Sequence, residues 1–274
     1  RDALISESAD PDKRGAAFGF HRAMDTAGAL LGVVVTLVLI KLLPTPSGSD
    51  VRTYQLIFAL AVIPGAFSVW ITFRVKEEPV KPNLGAKWSR AELSKLPRSY
   101  WIILLVSLVF GLANTSDAFL LLNAKGSGFS DYQTILAYAL YNVAYAALAF
   151  PCGWLSDRLG RIPVIALGWL IYAVVYIGFG QAIGSMWLLF LGYGVYQGLA
   201  QGATKALIAD HSPAESRGAA MGFFYMVAGG ATLVGNIGAG LLYDHVSPAF
   251  MFSVCGGLAL LATVLLVATR KMVR

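Results

Sequence analysis

Gly153-Trp154-Leu155-Ser156-Asp157-Arg158-Leu159-Gly160-Arg161 lies between two long apolar runs, 131–152 and 162–181. Three charges and two glycines in nine residues make a short polar connection, and Gly153 and Gly160 permit close packing and a sharp turn. Working outward, a second pattern appears. The stretch Ala3-Leu4-Ile5…Arg14-Gly15-Ala16-Ala17-Phe18-Gly19-Phe20 returns 203 residues later as Ala206-Leu207-Ile208…Arg217-Gly218-Ala219-Ala220-Met221-Gly222-Phe223. Eleven of the thirty aligned pairs between 3–32 and 206–235 are identical, without a gap. An internal repeat of this length implies duplicated halves.

The chain is 57% apolar and 13% charged, with a mean hydropathy of +0.66. Soluble domains carry about 25% charged residues, so the composition is that of an all-α membrane protein. Eight apolar runs reach membrane length, near 15–42, 53–74, 99–123, 131–152, 162–181, 185–207, 217–241 and 248–269. Sixteen Lys and Arg fall in one alternate set of connections and the ends, three in the other, and Arg22 and Lys205 lie inside spans. The positive-inside rule puts the sixteen, and both chain ends, in the cytoplasm, in a multi-pass protein of the inner or plasma membrane. The net charge of +6 is explained by these flanks, which argues against nucleic acid as a partner. Residues 75–98 form the one long connection; Leu84, Trp88 and Ala91 share a helical face there, so it reads either as a short surface helix or as an irregular charged linker.

The pattern G-x-x-x-D-R-x-G-R at 153–161, with the repeat, resembles the loop signature of the major facilitator superfamily of secondary transporters. The segments Ala17–Gly28 and Asn114–Leu122 look like a prokaryotic branch of general permeases within it. The resemblance implies two parallel six-helix halves and alternating access around a midplane site. It also implies that Asp157 contacts the start of the first span near Arg14 and Gly15, with Gly153, Asp157, Arg158, Gly160 and Arg161 acting as a conformational latch. Four spans (99–207) precede the second copy of the repeat and none precedes the first, so the expectation is a twelve-helix whole of which eight are present. Residues 1–74 would then be the last two helices of one half, 75–98 the connector, and 99–274 the other half. Several proton-exchanging exporters of the family carry a Gly-rich motif ending in Gly-Pro where this chain has Gly32-Val33, a departure from the exporter pattern.

Ionisable residues inside spans are costly and default to functional hypotheses. Asp25 lies ~16 Å beyond Arg14 along a helix, near mid-bilayer, with Arg22 one turn away. Asn114 and Asp117 lie one turn apart in the third span. Tyr138, Tyr141, Asn142 and Tyr145 share one face of the fourth, and Tyr193, Gln197 and Gln201 one face of the sixth. The substrate or proton-coupling candidates are therefore Arg22, Asp25, Asn114, Asp117, Tyr141, Asn142, Gln197 and Gln201. Each has a purely structural alternative, an ion pair or an interhelical hydrogen bond. Lys205 reads as snorkelling to the cytoplasmic surface. No nucleophile elbow, zinc helix or phosphate loop is present, and His21, His211 and His245 are far apart, so no catalytic residue, metal or cofactor is expected. The expected function is transport of a small organic solute by a protein that works as a monomer, with proton-coupled efflux or metabolite uptake as the two directions. A membrane scaffold or signalling role is the non-transport alternative.

Overall fold

A computed structural model describes residues 2–42, 51–74 and 96–273. The described residues are almost entirely helical: α1 Asp2–Ser8, α2 Arg14–Leu42, α3 Val51–Thr72, α4 Arg98–Ala113, α5 Asp117–Gly126, α6 Asp131–Leu159, α7 Arg161–Gln181, α8 Met186–Asp210, α9 Arg217–His245, α10 Pro248–Ala268 and α11 Arg270–Val273. Among them five segments are long and apolar enough to cross a membrane: 98–126 taken with its interruption, 132–159, 161–181, 214–245 and 248–268. The other three expected spans are helical too. However, α2 carries Arg22 and Asp25, α3 is apolar chiefly over Phe58–Thr72, and α8 is rich in Gly, Tyr and Gln. That composition suits α8, which packs between α6 and α7 and buries most of its length from Phe190 to Ala209. The readings of Leu84, Trp88 and Ala91 fall outside the described residues.

Residues 1–27 with 90–274 form one compact unit, and 28–89 another. In the first, α6 packs on α8, α7 on both α8 and α10, and α4 on α9 and α10. Several tyrosines turn inward while many aliphatic side chains face outward. Tyr172 and Tyr176 of α7 are fully buried, whereas Val174 between them is 62% exposed. This is the distribution expected where lipid, not water, surrounds the helices. In the second unit, Phe58, Ile63 and Phe67 of α3, and Phe73 just after it, are likewise exposed. Arg74 sits 4.6 Å from the Trp70 ring centroid, an amphipathic pair of the kind that anchors a span end at the interface.

Two sequence readings need correction. The 153–161 segment is not a loop: α6 continues through Leu159, and Gly160 alone separates it from α7. Gly160 has φ of +92°, a conformation open mainly to glycine, so one residue suffices for the turn. The third expected span, 99–123, is interrupted. Helix α4 stops at Ala113 and α5 restarts at Asp117. Asn114, Thr115 and Ser116 each favour local side-chain hydrogen bonds over helix continuation, and Ser116 caps α5 by accepting from the Ala118 N–H at 3.3 Å.

Candidate functional site

Three neighbouring arrangements contain most of the expected residues. The first joins α6 to the start of α2. The Asp157 carboxylate accepts from the Gly15 N–H at 2.9 Å and the Ala16 N–H at 2.8 Å. A carboxylate in the last turn of its own helix is unfavourably placed; the free N–H groups at another helix start reverse that. Arg161 also bonds the Asp157 carboxylate and donates to Ser156 Oγ at 3.1 Å and to Asp210 Oδ2 at 3.2 Å. Arg14 donates to Asp210 Oδ1 at 2.8 Å and to the Ser6 carbonyl at 3.1 Å. Two carboxylates and two guanidiniums thus neutralise one another across the contact. Gly153 lies against Gly15, where a Cβ on either would strike the other's backbone. Arg158 stands apart, its guanidinium 3.8 Å from the Trp154 ring centroid.

Asp157→Asn tests this contact. The side chain keeps its shape but loses one acceptor and its charge. A charge at a helix end contributes typically ~0.3–1 kcal/mol, and ~2 kcal/mol when partly buried. Transport in the whole protein should slow several-fold at unchanged expression; an unaltered rate would remove any role for the contact in the cycle.

The second arrangement surrounds the interruption at 114–116. Exposed backbone at membrane depth is tolerated only where protein satisfies it, and here one tyrosine hydroxyl and one asparagine amide oxygen do so, while four further tyrosine hydroxyls bond the side chains at the break. Tyr172 donates to the Ala113 carbonyl at 2.6 Å, and Tyr196 to Asn114 Oδ1 at 3.4 Å. Tyr176 and Thr115 share a hydrogen bond of 2.8 Å. Tyr193 and Tyr141 donate to the two Asp117 carboxylate oxygens at 2.7 and 3.1 Å. Asn236 of α9 accepts from the Ser116 N–H at 2.7 Å. A line of hydrogen bonds continues along α8, from Gln201 to Gln197 at 2.8 Å and from Gln197 to the Tyr193 hydroxyl at 3.3 Å.

The third is a cavity of about 300 Å³ beside this line, walled by α2, α4, α7, α8 and α9. Arg22, Asn114, Gln201 and Lys205 supply its polar wall, Phe110 and Trp169 part of its aromatic wall. Arg22 Nη1 lies 3.4 Å from Asp25 Oδ2, and the Asp25 side chain is half exposed.

Asn114, Asp117, Tyr141, Gln197, Gln201 and Arg22 are therefore brought together, and Asp25 adjoins them through Arg22. Asn142 is not: its amide donates to the Tyr138 carbonyl of its own helix at 2.8 Å. The snorkelling expected of Lys205 is overturned. Its side chain is buried and pairs with Asp2 at 2.6 Å, because Asp2 lies beside it. These two sit at matching places in the repeat, 203 residues apart. Sequence reading passed over Asp2, Asp210, Tyr172, Tyr176 and Tyr196. The four-residue rhythm of Tyr172/Tyr176 was a usable signal; the partners of Asp2 and Asp210 had none.

The sequence profile of the Major Facilitator Superfamily matches residues 1–136 and, overlapping, 118–273. The chain belongs to the major facilitator superfamily. Membership makes it a multi-pass membrane protein of a transporter family rather than an enzyme. It is 34% identical to an uncharacterized MFS-type transporter of Methanocaldococcus jannaschii over 97% of this chain and 66% of that protein. A probable 4-methylmuconolactone transporter of Cupriavidus pinatubonensis is 24% identical over 90% of this chain and 59% of its own length. A puromycin resistance protein of Streptomyces alboniger is 29% identical over 61% of this chain and 34% of its own. The chain thus spans about two thirds or less of the length of these facilitator relatives.

Proposed function

We propose that the chain is the larger part of a secondary active transporter that moves a small organic solute by alternating access, as a monomer, with protons as the coupling ion. Residues 1–74 close one half, 75–98 connect, and 99–274 form the other half. Asp117 is the coupling carboxylate. The observation that carries this reading is the interruption at Asn114–Ser116. A carboxylate held by two tyrosine hydroxyls beside a break in a membrane helix, next to a polar cavity, has the makings of a midplane site. The Asp157–Gly15–Arg161 contact is proposed to hold one conformation and to part in the other.

Two directions of transport remain distinct readings. Efflux in exchange for protons agrees with the aromatic wall. Uptake of an anionic metabolite agrees with the two cations in the cavity wall. A pH jump on proteoliposomes holding the whole protein separates them: lowering the external pH drives solute inward for symport and outward for exchange. If no solute in a broad panel moves in response to either a pH or a solute gradient, the transport reading fails.

Orientation is testable without a known solute. Both cysteines, Cys152 and Cys255, are buried and free, so a Cys152→Ala/Cys255→Ala background should fold. In it, Arg158→Cys should resist a membrane-impermeant maleimide applied to intact cells and react after permeabilisation. Labelling in intact cells would reverse the proposed topology.

A further inference from the structure

We infer that the cavity beside the α4–α5 interruption takes a small monovalent organic anion, a carboxylate carried on an aromatic or alicyclic body. This rests on the transport reading only in treating the cavity as the cargo site. The argument starts from the sign of the charges in its wall. Arg22 and Lys205 line the cavity, and no carboxylate is among the described residues that do. Their partners, Asp25 and Asp2, meet them from outside that lining, at 3.4 and 2.6 Å. The four charges cancel in sum, but the positive ends are the ones presented to a solute. A cationic solute would meet two like charges at close range, in surroundings that screen poorly.

Arg22 has bonding capacity left. A guanidinium carries five N–H donors in a planar fork. Its side-chain bond to Asp25, at 3.4 Å, is longer than the ~2.7–2.9 Å of a good charge-assisted contact. Its Nε is shielded from solvent and has no hydrogen-bond partner among the described residues. A carboxylate satisfies such a fork through two oxygens at once, which a hydroxyl or an ammonium cannot do. The Gln201 and Asn114 amides stand in the same wall and can complete the oxygen shell.

The remainder of the wall selects the body of the solute. Phe110 and Trp169 stack with centroids 4.3 Å apart and planes 4° from parallel, which presents a flat apolar surface, and Phe224 lies across α9 in the same lining. The volume is about that of ten waters, and it lies near the small end of the ~300–1,000 Å³ usual for organic ligands. One ring with one acidic group is of that size. A long lipid tail or a large polycyclic compound is not.

The test is equilibrium binding of radiolabelled benzoate to the purified whole protein in detergent, competed by unlabelled benzoate, cyclohexanecarboxylate, benzamide and benzylamine. These share size and differ in charge. The carboxylates should displace the label, benzamide at least tenfold more weakly, and benzylamine not at all. Arg22→Gln should erase the preference for acid over amide, and Arg22→Lys should restore part of it. Because the first comparison uses the unaltered protein, a variant that fails to fold leaves the conclusion open to refutation. Equal displacement by acid and amide, preference for the amine, or absence of saturable binding at millimolar benzoate would each overturn the proposal. Transport of neutral or cationic solutes with no anion binding would sink this inference and keep the transport reading; anion binding without movement would do the reverse.

Discussion

Asp117→Asn in the whole protein abolishes proton-driven accumulation while solute exchange down its own gradient persists. The reason is in the hydrogen bonds. The asparagine oxygen can still accept from Tyr193, and the Tyr141 hydroxyl can turn to accept from the new amide, so the fold is retained. What is lost is the ability to gain and release a proton. Asp117→Ala is a different case. It leaves the Tyr193 and Tyr141 hydroxyls, both buried, without their acceptor. Each unsatisfied buried donor costs about 1–3 kcal/mol, so this variant should also melt at lower temperature. Full accumulation by Asp117→Asn, measured across a range of external pH, would remove Asp117 from the coupling role. Asp25 would then be the next carboxylate to test, by Asp25→Asn.

Gly19→Val is expected to reduce transport by more than tenfold without removing the protein from the membrane. A Cβ on Gly19 would meet the Ala149 carbonyl oxygen, with the Ala149 carbonyl carbon 3.1 Å and the Phe150 Cα 3.2 Å away. These are backbone atoms of α6 and cannot swing aside, so α2 and α6 must separate. Overpacking costs typically 1–3 kcal/mol. Separation would also draw Gly15 and Ala16 from Asp157. The closed contact would be populated less, by roughly one to two orders of magnitude at 1.4 kcal/mol per tenfold. Gly257→Val is the matched control, since a Cβ there has open space on an exposed face of α10. Equal transport by the Gly19 and Gly257 variants would show that α2 and α6 need not touch during the cycle.

Asn142 and Gln201 show how much of the site could be read ahead of the structure. In sequence both are polar side chains in a membrane helix, which are expected to turn inward. The rule identifies the inward face and nothing finer. Gln201 found the cavity and a side-chain partner, whereas Asn142 found the carbonyl one turn back on its own helix. The two are indistinguishable in helical spacing. Asp117 stood out in sequence as an ionisable residue within an apolar run, but the break before it did not. Asn114-Thr115-Ser116 is short enough to pass unnoticed inside a run that is otherwise mostly apolar.

Hydropathy, loop charge and the 203-residue repeat are properties of the chain read locally or compared with itself. They were enough for an all-α membrane protein, for the family, and for Asp157 as a residue of interest. The tertiary structure alone decided which charges meet. Asp2 reaches Lys205, and Arg14 shares Asp210 with Arg161, across separations of about 50 to 200 residues. Those pairings depend on the angles and offsets at which helices cross, set by glycine contacts such as Gly15 on Gly153. The helix interruption was decided at the same level. Three polar residues could have stayed helical and turned their side chains to backbone carbonyls; five tyrosine hydroxyls from α6, α7 and α8 hold the broken form by satisfying the groups it exposes.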